Sequence, residues 1–429
     1  MKNSCSPSPT LTKSTYTRLV ESKRPSIVTQ SFFIPSGPPF NYVQTMKRSD
    51  TIYLDHASGT NLLPEVKNCI SDWLESGMTN PSSIHEAGRR SAAGLDEART
   101  RIAAVLGCKP SEILFTSGGT EANNLAIIGA ANAAKKKGRH LITCATEHPS
   151  VLECFKALEK SGFQVTYLKC DNNGDVDPEA FRSSITDDTI LASFMWVNNE
   201  TGLVHPIKTL AQIAQDHHVS FHCDAVQAFG HFPIQLENSG IDSLALSGHK
   251  LGAPAGIGVL YLSKGHALAR KSFGGSQEQN VRAGTQNHVG AVALATAMDY
   301  HTAHFESLKK KYIDLSDHLQ NQLKAIPEIQ YNRYGKQYSP HIWSCSFRHV
   351  DGEALFIRLD MKNIAVSNGA ACSSGSQAPS HVLTALGFDE DLAQASLRIS
   401  MGIETTKQEI DDFCRELQQI VTSIYRDSE

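Results

Sequence analysis

Asp242-Ser-Leu-Ala-Leu-Ser-Gly-His-Lys-Leu-Gly-Ala-Pro-Ala-Gly-Ile-Gly-Val-Leu-Tyr-Leu262 decides the reading of this chain. It begins as a short apolar strand that ends in Ser247-Gly-His-Lys250. A turn follows, built on Gly252, Pro254, Gly256 and Gly258, and then a second apolar strand from Gly258 to Leu262. A lysine at such a strand end, crowded by a histidine and apolar neighbours, is partly desolvated, which favours the neutral amine that attacks carbonyls. Lys250 is therefore a Schiff-base candidate. The alternative is a solvated lysine on an exposed turn.

Outward from this stretch the same kind of segment recurs. Ile113–Ser117, His140–Cys144, Gln164–Leu168, Ile190–Val197, Val219–Cys223, Ser243–Leu246 and Gly258–Leu262 are short apolar runs. Helical patterns lie between several of them, at Glu121–Lys135, Val151–Ser161 and Ile207–His217. Such alternation predicts an α/β fold, a mostly parallel seven-stranded sheet between helices, with active groups in the loops after the carboxyl ends of strands. After about residue 300 the pattern changes to a long polar helix, Thr302–Ala325. The segments Ile342–Arg348 and Ala354–Leu359, a Gly/Ser-rich loop at 367–377 and further helices follow. The expected organisation is a large domain over 60–300 and a small α+β domain from 49–59 and 301–429.

Composition narrows the function classes. The chain has 429 residues, enough for two or three packed units. Its 40 Lys+Arg against 44 Asp+Glu form no basic stripe, so nucleic acid is not an expected partner. No apolar run approaches the roughly 20 residues of a membrane span, and no membrane association is expected. The ten cysteines are scattered without a C-x-x-C pair, which points to free thiols in a reducing compartment and to no metal site. A cytoplasmic location is expected. Residues 1–48 are rich in Ser, Thr and Pro, with Glu21 as their one acid, and are expected to be a disordered extension. A start at Met46 and an organelle transit peptide are the alternatives.

The unusual residues fall at predicted strand ends. Thr116-Ser-Gly-Gly-Thr-Glu-Ala-Asn-Asn124 follows a strand and opens a helix, so its N–H groups could face a phosphate; an ordinary N-cap turn is the other reading. Asp224, in Phe221-His-Cys-Asp-Ala-Val-Gln227, stands at a strand end, where a buried carboxylate must find a cationic partner; a protonated pyridine nitrogen of pyridoxal phosphate (PLP) would serve, and a capping aspartate is the other reading. Gln227 could then bond the cofactor's phenolic oxygen. His148, in Thr146-Glu-His-Pro149, is available to stack on a ring and move protons, although most of the eighteen histidines must be structural or on the surface. Asn198-Asn-Glu-Thr-Gly202 offers amides to a polar ligand. Cys372 sits among small residues in Val366-Ser-Asn-Gly-Ala-Ala-Cys-Ser-Ser-Gly-Ser376, where a thiol is accessible. Arg398 lies in an apolar run and needs an anion, either a substrate carboxylate or a structural acid.

Ten segments, in order, resemble the NifS/IscS-like cysteine desulfurases, a class V branch of the fold-type I PLP enzymes. They are Leu54-Asp55, Asn80-Pro-Ser-Ser83, Phe115-Thr-Ser-Gly-Gly-Thr-Glu121, Thr146-Glu-His148, Val197-Asn-Asn-Glu200, Asp224-Ala-Val-Gln227, Ser247-Gly-His-Lys250, Arg282-Ala-Gly-Thr285, Gly369-Ala-Ala-Cys-Ser-Ser374 and Arg398. The resemblance implies that Lys250 holds PLP, Asp224 pairs with the pyridinium, Gln227 bonds the phenolic oxygen and His148 stacks on the ring. It further implies that Gly119, Thr120, Ser247 and His249 cradle the phosphate, with Thr285 supplied by the partner subunit of a homodimer. Asn199 and Arg398 would hold the L-cysteine carboxylate. Cys372 would take the sulfur as a persulfide, with His148 as a candidate acceptor of its proton, and pass it to an acceptor protein for Fe–S cluster assembly or thiolation. Selenocysteine lyase, another class V activity and a non-catalytic binding partner are the rival readings. The sequence departs from the pattern at Gly252-Ala-Pro-Ala255, where Tyr-Gly-Pro-Lys is usual, and at Ala57-Ser-Gly-Thr60, where Ala-Thr-Thr is usual.

Overall fold

The computed structural model describes residues 51–77, 79–170, 174–333, 337–368 and 379–428. The chain enters at β1 (Ile52–Tyr53) and continues through α1 (Pro64–Glu75) and α2 (Glu86–Leu106). Strands and helices then alternate: β2 (Ile113–Thr116), α3 (Gly119–Ala134), β3 (His140–Cys144), α4 (Pro149–Lys160), β4 (Gln164–Leu168), α5 (Pro178–Ser184), β5 (Thr189–Met195), α6 (Ile207–Asp216) and β6 (Ser220–Asp224). Two more strands, β7 (Ser243–Ser247) and β8 (Gly258–Leu262), flank a single 3-10 turn at Gly248–Lys250.

These seven longer strands form one sheet in the order β2-β8-β7-β6-β5-β3-β4. Neighbours from β7 to β4 are parallel, and β8 alone runs against both of its neighbours. Successive residues of a strand point to opposite faces, and both faces here are covered. Ile113 and Phe115 join an apolar cluster with residues of α2 and α7, whereas Leu114 between them packs with Ala122 and Ala126 of α3. This two-sided burial explains why the strands read as continuous apolar runs. The parallel arrangement also brings the carboxyl ends of β2, β3, β5, β6 and β7 to one edge.

The remainder comprises α7 (His288–Ala303), α8 (Phe305–Leu323), β9 (Ile329–Tyr331), β10 (Ile342–Phe347), α9 (Gly352–Asp360), β11 (Ile364–Ala365), α10 (His381–Ala385), α11 (Glu390–Gln394), β12 (Ser396–Ser400) and α12 (Lys407–Ser428). Strands β12, β10 and β9 make an antiparallel sheet, and β1 pairs in parallel with β11. A second apolar cluster joins Leu54 to residues between Leu308 and Ile424. The expected helix Thr302–Ala325 is α8, which begins at Phe305; α7 ends just before it, and His304 between them stacks its ring on Tyr300 at 4.3 Å between centroids. Residues 354–359 are helical. The segment 369–378, with Cys372, and the extension 1–48 lie outside the described residues.

Candidate active site

Five connections at that sheet edge carry the candidate side chains. After β2 the chain turns through Gly118, with φ of 156°, into α3, which starts without a side-chain cap. A Cβ on Gly119 would meet Val226 Cγ2 at 2.7 Å, so glycine there permits close packing on the β6 loop. Thr120 is exposed on the first turn of the helix. Ser247 Oγ is 2.9 Å from His249 Nδ1, and a Cβ on Gly118 would lie 3.6 Å from the same Oγ. The glycine turn, Ser247 and His249 therefore lie together at the amino end of α3, where a helix favours an anion. Burial, with Lys250 beside it, holds His249 down to about 4.

Asp224, the last residue of β6, is buried and well supplied with donors. Its Oδ2 accepts from Asn123 Nδ2 at 2.7 Å and its Oδ1 from the Val226 N–H at 3.0 Å. Asn123 lies one turn beyond Gly119 in α3, and its amide nitrogen also donates to Ser150 Oγ at 2.9 Å. Ser150 in turn is 2.8 Å from His148 Nδ1. His148 caps α4, its Nδ1 accepting from the Ser150 N–H at 3.1 Å. Burial lowers the imidazole's proton affinity; Asp224 opposes this, while Lys250, His381 and Arg398 reinforce it.

Lys250 ends the 3-10 turn, and its Nζ donates to the carbonyls of Ala57 and Ser58. Gln227 Nε2 donates to the same Ala57 oxygen at 2.8 Å, so the amine and the amide converge on the loop after β1. Arg398, in β12, is 2% exposed. One terminal nitrogen donates to Asn199 O at 3.0 Å, and the other to Asp55 Oδ1 at 2.8 Å and Ser58 Oγ at 2.6 Å. Its Nε has no hydrogen-bond partner. The guanidinium thus has the structural acid the sequence left open as one alternative, and one buried donor to spare. Thr285 is exposed in the connection before α7.

Several functional neighbours escaped the sequence reading. Asn123 stood in the glycine-turn stretch without a role, though its spacing of four from Gly119 puts both on one helix face. Ser150 gave no signal, and Asp55 stood in the Leu54-Asp55 segment without a role. Glu200, buried and raised by that burial to about 7 against the opposing influence of Ser380 and Arg398, accepts a hydrogen bond from Ser380, the N-cap of α10. Among the described residues no group of three His, Cys, Asp or Glu is arranged to hold a metal ion, and no helix is long and apolar enough to cross a membrane.

A strand-end lysine, a buried aspartate and a glycine turn at a helix start define a class. The family model described as aminotransferase class-V matches residues 52–413, and the chain belongs to that family. Among curated relatives it is 40% identical over 380 residues to "Cysteine desulfurase IscS" of Dictyoglomus turgidum, covering 88% of this chain and 96% of the relative. It is 42% identical over 374 residues to "Putative cysteine desulfurase IscS 1" of Bacillus subtilis, covering 87% and 99%. Of solved structures it is similar to one titled "NIFS-LIKE PROTEIN", with a TM-score of 0.82 and 32% identity over 87% of this chain and all of that one. Another, "SspA in complex with cysteine", gives 0.69 and 32% over 81% and 98%.

Proposed function

We propose that the chain is a PLP-dependent cysteine desulfurase, converting L-cysteine to L-alanine and receiving the sulfur on Cys372 as a persulfide. One observation carries the reading: a hydrogen-bonded chain joins His148 to Asp224, with Lys250 and Arg398 close enough to act on His148 electrostatically. The names of the relatives support it.

The residues present suit the cofactor. The uncapped start of α3, with Ser247 and His249 beside it, suits a phosphate, and Gly119, Thr120 and the hydroxyl of Ser247 would bind it. Asp224, fixed by two donors, is an acceptor suited to a protonated ring nitrogen. Bound PLP supplies an electron sink for the pair left when the substrate Cα loses its proton. Lys250 Nζ would hold the cofactor covalently and, as a free amine, would take that proton. Gln227 Nε2 would donate to the phenolic oxygen. Arg398 Nε and the Asn199 side chain bind the substrate carboxylate, with Asp55 keeping the guanidinium in place. The Cys372 thiolate would then attack the substrate sulfur: the S–S bond forms, the substrate C–S bond breaks with its electron pair staying on the carbon, and the fragment leaves as alanine after gaining one proton at Cβ, matching the one lost by the Cys372 thiol, and regaining one at Cα from Lys250. We infer in addition a homodimer in which Thr285 serves the partner's site, a sulfur-acceptor protein, and a cytoplasmic location.

The purified protein should show a near-visible absorption band that Lys250→Ala abolishes or shifts, with loss of alanine formation from L-cysteine. A band unchanged by Lys250→Ala contradicts the reading. Faster turnover of L-selenocysteine than of L-cysteine would favour the lyase instead.

A further inference from the structure

The hydrogen bonds behind His148 run in one direction only. Asp224, as a carboxylate, accepts, so the Asn123 atom facing it at 2.7 Å is the amide nitrogen. The Asn123 oxygen then faces His222 Nε2 at 2.9 Å, and that nitrogen must be the donor. His222, fully buried and held down to about 3 by burial, is neutral, so its Nδ1 accepts from Ser243 Oγ at 2.9 Å. The second hydrogen of the Asn123 amide goes to Ser150 Oγ, which leaves the Ser150 hydroxyl proton directed at His148 Nδ1. A backbone N–H, which can only donate, meets the same Nδ1 at 3.1 Å. Two donors thus occupy the nitrogen turned towards α4.

We propose that this one-way chain, Ser243 to His222 to Asn123 to Ser150, locks His148 in the tautomer with its proton on Nε2, and that Asn123 is a positioning residue serving His148 and Asp224 together. The consequence is a role opposite to the one the sequence suggested. Neutral His148 presents an N–H at its open edge, so it donates a hydrogen bond to the reacting groups and has no lone pair there to accept the proton of the Cys372 thiol. To gain a proton it must do so at Nδ1, against both donors. The single Asn123 amide ties the orientation of the ring to that of the carboxylate.

The functional meaning rests on the desulfurase reading, but the tautomer is measured without turnover. In cofactor-loaded protein labelled with nitrogen-15 histidine, the His148 signals are those lost in His148→Gln. The expected pattern is an unprotonated Nδ1 and a protonated Nε2 at neutral pH, with Ser150→Ala raising the midpoint of His148 protonation by about one unit, because one opposing donor is gone. Asn123→Leu should raise it likewise, since Ser150 is then free to turn. A protonated Nδ1 in the wild type overturns the proposal, as does a midpoint that neither variant moves. If the tautomer is as stated and L-cysteine yields no alanine, the desulfurase reading fails and the tautomer stands.

Discussion

Arg398 shows how much a single residue can conceal. Its apolar surroundings in the sequence demanded an anion, and the structure supplies Asp55, 343 positions away, along with Ser58 Oγ and Asn199 O. No pattern along the chain announces a partner at that separation. Replacing Arg398 by alanine strips the donors from all three and leaves Asp55 without its cation, a loss of about 3–5 kcal/mol by analogy with other buried pairs. Arg398→Lys keeps the charge but not the fork. The expected result is a lowered denaturation midpoint for the alanine variant and, for the lysine variant, a raised KM for L-cysteine with a smaller change in kcat. A lysine variant with unaltered KM would remove Arg398 from the substrate site. Lys250, Asp224 and His148 were legible because each is a chemically distinctive residue at a strand end. Asn123 and Ser150 were not, since polar residues in a helix start have many local roles and only the folded chain selects one.

At the level of elements, legibility followed burial. His140–Cys144 and Gly258–Leu262 were predicted to the residue because strands in a doubly covered sheet are bounded apolar runs; Gln164–Leu168, half-exposed at the sheet edge, was also predicted to the residue, from its β-branched and aromatic residues. Helices α1 and α2 were not read at all. The 21 residues of α2 are largely alanine, glycine and charged residues, and small side chains packed against α7 leave little apolar periodicity to see. One glycine links an element to the site. A Cβ on Gly258 in β8 would lie 2.6 Å from Gly118 Cα and 2.7 Å from Leu246 O, both backbone atoms. Strand propensity alone favours alanine over glycine, but the collision decides the sign. Gly258→Ala should destabilise by about 1–3 kcal/mol in urea unfolding and push the glycine turn off the sheet, weakening retention of the cofactor on dialysis. Unchanged stability together with unchanged retention would show that the turn does not depend on this approach.

On the scale of the whole molecule, the two-sided sheet was legible because alternation along the chain is a global pattern; the pairing of β1 with β11 was not, because two residues make no run. Buried histidines give the fold a pH response. Burial lowers His205 and His301 from 6.5 to about 4, and His222 and His341 to about 3, while His231, stacked on His341 at 3.4 Å, is also depressed. The unfolded chain binds these protons first as pH falls. Their contribution is therefore complete above pH 6.5 and is lost progressively below it, by about 2 kcal/mol for each group at pH 5 if the unfolded values are ordinary. Urea midpoints should fall steeply between pH 6.5 and 5, and a flat profile would mean that these rings are hydrated. The central claim is tested most directly by incubating the protein with stoichiometric L-cysteine and weighing the peptide that contains Cys372, with alanine counted in the same sample. The account predicts that peptide heavier by one sulfur atom, one alanine per persulfide, and neither product from Lys250→Ala; alanine formed equally well by Cys372→Ser, or an added sulfur on some other cysteine, would contradict it.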